Sequence, residues 1–536
     1  MAETKRITLT IDGKTVTVPD GVTVLQACEQ AQSPVPFYCY HPGLSIAGNC
    51  RICLVEIEKT PKLQIACYIP AAEGMVVRTT SDQTLNARRD VLEFLLINHP
   101  LDCPVCDQAG ECWLQDYYMQ HGLYDARFNE QKVKKPKAVP LGPTVMLDAE
   151  RCILCSRCVR FTDEISKTGE FGIFNRGDHS EVGLHPGKVL DNNYAGNVVD
   201  ICPVGALTDR DFRFKCRVWY LGSADSVCNG CSRGCNIQIH YNRERRDFPH
   251  VAGGARVMRL KPRHNPDVNQ WWMCDVGRYG YHAIDDNRIA EIAVGENGSA
   301  RRGLWEEAIE LLGAALQQLQ QAKQPDRIGV VLSSHQTNED LYAAKRVFSA
   351  LGVTQLVFQR PKPERADTLL LTADRSPNTR GAQALGLAEG AERLLDKAAA
   401  GQLEWLIVFT QDLVDVFGAA RVRAAAARLK RFVFIGPNTN KTSAMAHLVL
   451  PSAAYAEKDG TFTNGQGRVQ RINAAFECLG EARPDWEILR ALATRLGVDV
   501  TFPDAASVFA AMAQGERAFA GLSYDVIGAQ GALLKA

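Results

Sequence analysis

Near the start of the chain, Ile7-Thr-Leu-Thr-Ile-Asp12-Gly13-Lys-Thr-Val-Thr-Val18 alternates apolar and polar positions on both sides of an Asp-Gly pair. This period of two predicts a β-hairpin, because both turn residues tolerate positive φ. A short helix is predicted from about Val24 to Ala31. Leu54-Val-Glu-Ile-Glu58 and Met75-Val-Val-Arg78 read as further strands. A hairpin, a helix and more strands around cysteines predict a small β-grasp domain. Thr80-Ser-Asp-Gln83 has the form of a capping box. Behind it Leu85, Val91, Leu92, Leu95 and Leu96 make an apolar face at helical spacing that ends near Asn98.

After about residue 300 the pattern changes. The apolar runs Arg327-Ile-Gly-Val-Val-Leu332, Thr368-Leu-Leu-Leu371, Trp405-Leu-Ile-Val-Phe409 and Arg431-Phe-Val-Phe-Ile435 predict buried parallel strands. Helices such as Glu339 to Leu351, Glu392 to Ala400 and Ala419 to Leu429 fall between them, which predicts a layered α/β domain. No GxGxxG follows a strand, and this weighs against a local dinucleotide site. Gly436-Pro-Asn-Thr-Asn-Lys441-Thr442 has the outline of a phosphate loop but lacks the glycine before its lysine. No catalytic constellation stands out here, so this part is expected to serve chiefly as a docking body.

The chain has 536 residues, more than the roughly 250–300 at which single cores stop growing, so several domains are expected. The 61 basic residues balance 61 acidic ones, leaving no global field for nucleic acid or a membrane surface. The basic run Lys132-Val-Lys-Lys-Pro-Lys137 reads as a solvated linker. The first residues have no signal-peptide or transit-peptide character. No window approaches the roughly 18–20 apolar residues of a membrane span. A reducing cytoplasm is the compartment these features imply, and there clustered cysteines are metal ligands or redox groups rather than disulfides.

Fifteen of the 18 cysteines fall into four consecutive sets. The first is Cys39, Cys50, Cys53 and Cys67, with Gly43, Gly48 and Asn49 in its loop. Plant-type ferredoxins use a related layout, so a [2Fe-2S] cluster is expected. Structural zinc is the alternative, although zinc modules usually show two short Cys pairs and this set has one. The second set is His99, Cys103, Cys106 and Cys112, in which the histidine supplies the missing fourth ligand of a [4Fe-4S] cluster. A capping or packing role is the other reading of His99. The third set pairs Cys152-x2-Cys155-x2-Cys158 with the distant Cys202-Pro203, the pattern of a [4Fe-4S] ferredoxin site. The fourth, Cys228, Cys231, Cys235 and Cys274, suits another [4Fe-4S] cluster, with Gly230 and Gly234 allowing tight loops. Cys28, Cys216 and Cys478 read as ordinary structural thiols.

In this order the four sets resemble one family, the large iron–sulfur subunits of bacterial NADH-quinone oxidoreductases, the respiratory complex I. Ala456-Glu-Lys-Asp-Gly-Thr-Phe-Thr-Asn-Gly-Gln-Gly-Arg-Val-Gln470 is similar to a segment of molybdopterin oxidoreductases, of which this family carries an inactive relative. The resemblance implies a β-grasp [2Fe-2S] domain at 1–80, a histidine-ligated [4Fe-4S] domain at 81–140 and a ferredoxin-like [4Fe-4S] domain at 141–220. An additional [4Fe-4S] domain at 221–300 and a shortened molybdopterin-oxidoreductase-like α/β domain at 301–536 complete it. It further implies that the chain relays single electrons and carries no catalytic residues. Binding of NADH, FMN, quinone or molybdopterin is not expected. The partners implied are the flavoprotein that binds FMN and NADH and the quinone-facing iron–sulfur subunits, without nucleic acid or direct membrane insertion. The location implied is the cytoplasmic side of the bacterial inner membrane, peripheral through the complex. Two features depart from the family pattern: the 38 residues between Cys235 and Cys274 make a long interval, and the last domain is short.

Two other oxidoreductases share parts of this layout. Molybdenum-dependent formate dehydrogenases typically place a lysine two positions after the last cysteine of the fourth set, where this chain has Val276. Electron-transfer subunits of NAD-reducing hydrogenases usually stop before an additional α/β domain.

Overall fold

Asp12 and Gly13 adopt φ of 48° and 79°, and their turn closes β1 (Arg6–Ile11) onto β2 (Lys14–Pro19) with Ile11 opposite Lys14. The expected hairpin is therefore present. The computed structural model describes residues 5–243, 255–296, 299–500 and 502–535. Among them the chain forms two compact units, the first ending at Leu221 and the second beginning at Gly222.

In the first unit, α1 (Val24–Gln30) starts at a capping box made by Thr23 and Gln26. β3 (Leu54–Ile57), β4 (Gln64–Ile65) and β5 (Val76–Arg78) complete a five-stranded sheet in the order β2-β1-β5-β3-β4. β5 runs parallel to β1 at its centre, which is the β-grasp arrangement. Ile7, Leu9 and Ile11 alternate inward from β1 onto a core that includes Val24, Val55, Val77 and Cys28.

α2 (Asp82–Leu96) begins one residue later than the sequence pattern suggests. Ser81 rather than Thr80 is its N-cap, accepting from the Thr84 amide at 3.4 Å. The reason lies upstream: the Asp12 carboxylate accepts from the Thr79 amide and hydroxyl at 2.7 and 2.6 Å, holding this stretch to the hairpin turn. α3 (Trp113–His121) packs on α2. β6 (Val139–Pro140) and β7 (Val145–Leu147) follow, then α4 (Arg157–Glu164) and the hairpin of β8 (Phe171–Phe174) and β9 (Glu181–Leu184). The short α5 (Asn197–Asp200) and β10 (Leu207–Asp209) end this unit, with β10 paired to β7.

In the second unit, β11 (Leu221–Val227), β12 (Asn236–Asn242) and β13 (Val257–Pro262) make a three-stranded sheet, followed by α6 (Asp275–Tyr279). The main sheet has eight strands. Its first two strands are β14 (Ala293–Glu296) and β15 (Ser299–Arg302); α7 (Trp305–Gln321) and β16 (Ile328–Ser333) come next. α8 (Asn338–Ala350), β17 (Gln355–Gln359), α9 (Thr379–Ala384), β18 (Ala388–Glu389) and α10 (Ala391–Ala399) continue the winding. β19 (Trp405–Phe409), α11 (Leu413–Phe417), α12 (Ala419–Ala426), β20 (Arg431–Gly436) and β21 (Leu448–Pro451) complete it. Strands β16 to β21 are all parallel, and every residue of β16 and β19 is buried. Two separate hydrophobic clusters contain helix residues: one takes α7 and α8 and the other α10 and α12, as a sheet covered on both faces requires.

The predicted strand Thr368–Leu371 is absent. The Asp367 carboxylate accepts the amides of Leu369, Leu370 and Leu371 at 2.9, 3.1 and 3.1 Å, so a local turn takes the donors a ladder would use. Gln355–Gln359 fills the sheet position beside β16 instead. The helix expected to reach Leu429 stops at Ala426. No described helix is long and apolar enough to cross a membrane.

Candidate metal centres

The cysteines of the first set follow the turn out of α1. Cys39, Cys53 and Cys67 are fully buried, and Cys50 is half-buried. Gly48 and Arg51 adopt φ of 62° and 60° on either side of Asn49-Cys50, which curls the loop that carries this cysteine. The Cys39 amide donates to the Cys50 sulfur at 3.5 Å. Thiol hydrogen bonds from Cys50 and then Cys67 hold Cys39 far below the ordinary thiol pKa, and contact with Cys39 pushes Cys50 and Cys67 up. These couplings join Cys39 to Cys50 and Cys67, and Cys67 to Cys53.

The carbonyls at the C-terminal end of α2, of Leu96 and Ile97, accept from the Lys132 ammonium at 2.8 and 2.7 Å, and His99 follows two residues on. His99, Cys103 and Cys112 line one cavity of about 630 Å3. Nδ1 of His99 is buried and has no hydrogen-bond partner. Burial, and then the charges of Arg151 and Lys132, bring its imidazole down to about 4, so the ring is neutral with a free lone pair. A buried imidazole nitrogen without a partner, on a residue that shares a cavity lining with two cysteines, suits a ligand position, and a capping role through Nδ1 would leave it bonded. Cys106 is outside this lining. Its sulfur lies against Gly205, where a Cβ would come within 2.3 Å.

The third set is gathered by α4 and the turn before β10. Cys152, Cys155, Cys158 and Cys202 line one cavity with apolar neighbours that include Leu147, Val182 and Val198. Leu154 and Ser156 adopt φ of 54° and 59° between the cysteines, and the Leu154 amide donates to the Cys152 sulfur at 3.4 Å. Alternating backbone of this kind forms an anion-binding concavity. Burial raises Cys155 to about 11 and Cys152 to about 12. Four thiols gathered in one largely apolar cavity are unfavourable as thiolates, and a bound metal cluster reverses that balance.

The fourth set belongs to the second unit. Cys228, Cys231, Cys235 and Cys274 line one cavity together with Gly230, Gly277, Leu370 and Leu371. The amides of Gly230 and Gly277 donate to the sulfurs of Cys228 and Cys274, each at 3.4 Å. A Cβ on Gly277 would come within 2.8 Å of the Cys228 sulfur, so this glycine leaves space for it. The interval of 38 residues before Cys274 contains β12 and β13, which pair and return the chain to the loop of Cys235.

Among the described residues, no group of three or more His, Cys, Asp or Glu side chains could hold a single metal ion. The cysteines of the third and of the fourth set instead each line the walls of one cavity. Sets one to three also draw on one apolar core: Cys39, Leu92, Leu114, Cys155, Val204 and Ala206 pack together, with Cys50, Cys112, Cys152 and Cys202 against them.

The sequence reading missed three residues in this region. Arg157 and Arg160 lie inside and just after the Cys152–Cys158 motif. Arg160 donates to the carbonyl oxygens of Cys39 and Cys155, at 2.5 and 3.2 Å, bridging the first and third sets. Tyr38 is buried with its hydroxyl unpartnered, and burial raises its pKa, followed by the charges of Tyr117, Cys112 and Cys50. An arginine between two cysteines was the available signal, but nothing local shows where its side chain goes. In the second unit, a separate cavity of about 400 Å3 opens near the carboxyl ends of β16 and β19. Lys458 lines it and is held by Asp340 at 2.6 Å.

Four family models match the chain. Residues 4–82 match a 2Fe-2S iron-sulfur cluster binding domain, and residues 88–127 the NADH-ubiquinone oxidoreductase-G iron-sulfur binding region. Residues 142–208 match the ferredoxin-like domain of NADH-quinone oxidoreductase subunit 3, and residues 376–495 match molybdopterin oxidoreductase. The mitochondrial NADH-ubiquinone oxidoreductase 78 kDa subunit of Neurospora crassa is 31% identical across 97% of this chain and 84% of its own length. The NADH-ubiquinone oxidoreductase 75 kDa subunit of Reclinomonas americana is 30% identical across 90% of this chain and 87% of its own. The G subunit of NADH-quinone oxidoreductase from Rickettsia felis is 39% identical across 65% of this chain and 49% of its own length.

Proposed function

From the premise that this chain belongs to the family of the 75–78 kDa and G subunits of NADH-quinone oxidoreductase, electron-transfer components of complex I, we propose which residues hold its clusters. Cys39, Cys50, Cys53 and Cys67 bind [2Fe-2S]. His99, Cys103, Cys106 and Cys112 bind a [4Fe-4S] cluster, as do Cys152, Cys155, Cys158 and Cys202. Cys228, Cys231, Cys235 and Cys274 bind an additional one. The domain divisions at residues 80, 140, 220 and 300 follow these sets.

His99, which lines one cavity with Cys103 and Cys112 and whose buried Nδ1 has no hydrogen-bond partner, is the observation that carries this reading. Iron–sulfur clusters accept and return one electron at a time, with potentials set by ligand type, hydrogen bonds and burial. The chain's own contribution is to draw cysteines of three sets onto one apolar core and to aim amides at sulfurs of the first and third. Electrons enter from a partner that binds FMN and NADH and leave towards a quinone-facing iron–sulfur partner. The chain is peripheral to the membrane through those partners, on the cytoplasmic side in a bacterium. The lysine in the cavity beside β16 and β19 is already neutralised by Asp340, and no molybdopterin is expected there.

Iron and acid-labile sulfide analysis with EPR tests this reading. One Cys→Ser substitution in each set should remove one centre and leave the others. Zinc in place of iron and sulfide, or a full set of signals in Cys155→Ser, would overturn it.

A further inference from the structure

Arg157 occupies the first turn of α4, between Cys155 and Cys158, and is 2% exposed. Among the described residues its guanidinium donates to main-chain oxygens alone: to Ile201 at 2.8 Å and to Tyr40 at 2.6 Å. Its Nε is buried without a partner. The Trp113 ring covers one face, 4.7 Å from the guanidinium carbon. No described carboxylate lies within ion-pair distance of it.

A buried cation without a counter-ion is strongly unfavourable, and folds that keep one pair it with negative charge. Arg157 lines one cavity together with Cys152, Cys155, Cys158 and Cys202, the four cysteines of the third set. Ile201, which anchors one guanidinium nitrogen, immediately precedes Cys202. Both anchors are main-chain atoms, so the charge is fixed in place. The other charged side chain at this spot is Arg160, which donates to the Cys39 and Cys155 carbonyls and adds positive charge.

Resting on the cluster assignment above, we propose that Arg157 is the built-in counter-charge of the cluster held by Cys152, Cys155, Cys158 and Cys202, and raises its reduction potential. Reduction adds one negative charge to that site. A fixed cation in a water-poor core stabilises the reduced form more than the oxidised form. Arg157 thereby makes this centre a better electron acceptor while leaving its ligands unchanged.

The test is potentiometric EPR on the assembled complex, with the relevant signal identified by its loss in Cys155→Ser. At the wild-type midpoint, Arg157→Gln should lower the reduced-to-oxidised ratio about tenfold, equivalent to about 59 mV for a one-electron couple. Arg157→Lys keeps the charge and should restore most of the shift, a rescue that a purely structural role would not produce. An unchanged midpoint in Arg157→Gln with full iron content overturns the proposal. So does loss of the centre in both Arg157→Gln and Arg157→Met while Arg157→Lys retains it, because the residue would then govern assembly rather than potential. If Cys155→Ser removes no signal at all, the ligand assignment fails first and this proposal with it.

Discussion

The amide of Trp113 donates to the carbonyl oxygen of Pro203 at 3.0 Å. Each residue directly follows the last cysteine of its set, Cys112 and Cys202, so a single main-chain bond fastens the second set to the third. Three residues after Cys202, Gly205 lies against the Cys106 sulfur. On its other side the third set is tied to the first through Arg160. The third set therefore lies between its two predecessors in these contacts, although it comes last of the three along the chain.

Gly205 tests the contact between the second and third sets. A Cβ there would stand 2.3 Å from the Cys106 sulfur and 3.0 Å from the Gln108 Cβ. Gly205→Val must displace the cysteine, and it should lower occupancy of the His99 centre at least severalfold while the [2Fe-2S] signal persists. Iron content and EPR of the variant measure both. Undiminished occupancy would mean that Cys106 is not a ligand.

His99→Cys should keep its centre but lower the potential, because a thiolate adds negative charge where a neutral imidazole adds none. His99→Ala should weaken or remove the centre. A redox titration in which no midpoint moves in His99→Cys would exclude the imidazole from the ligand set.

Glu339 makes the stability of the second unit depend on pH. The carboxylate is fully buried, accepting from the Thr461 amide at 2.8 Å and from the Thr461 and Tyr524 hydroxyls at 3.0 Å each. Burial raises its pKa to about 7, against the lowering pull of amide hydrogen bonds. In the unfolded chain a glutamate titrates near 4.3. The folded state thus keeps its proton to higher pH, and the stabilisation is complete below about pH 4 and lost as pH rises through 7. The loss should amount to about 4 kcal/mol at most. Denaturant titrations at pH 5 and pH 8 should show Glu339→Gln without this share of the slope. Parallel profiles for variant and wild type would refute the raised pKa.

Elements written in local periodicity were legible in the sequence. The hairpin at Asp12-Gly13 and the helix after Thr23 follow from hydrogen bonding within a few residues, and the strands at 328–333 and 405–409 from unbroken apolar runs that a doubly covered sheet buries. The run at 368–371 carried the same apolar signal and failed, because one aspartate side chain took three of its amides. Helix starts were readable to within one residue, and the Ser81 cap moved because Asp12 holds Thr79 from 67 positions away.

By itself the sequence offered the candidate donor sets, since in each set two or three cysteines lie a few residues apart, as a loop wrapped around a small inorganic core requires. It also identified His99 as the odd member of its set. Only the tertiary structure decided that His99 has an unsatisfied buried nitrogen, that Gly205 makes room for Cys106, and that Arg157 is buried without a carboxylate. Those facts depend on segments 44 to 117 residues apart meeting in one dry core, where solvation and charge are set by neighbours in space rather than along the chain.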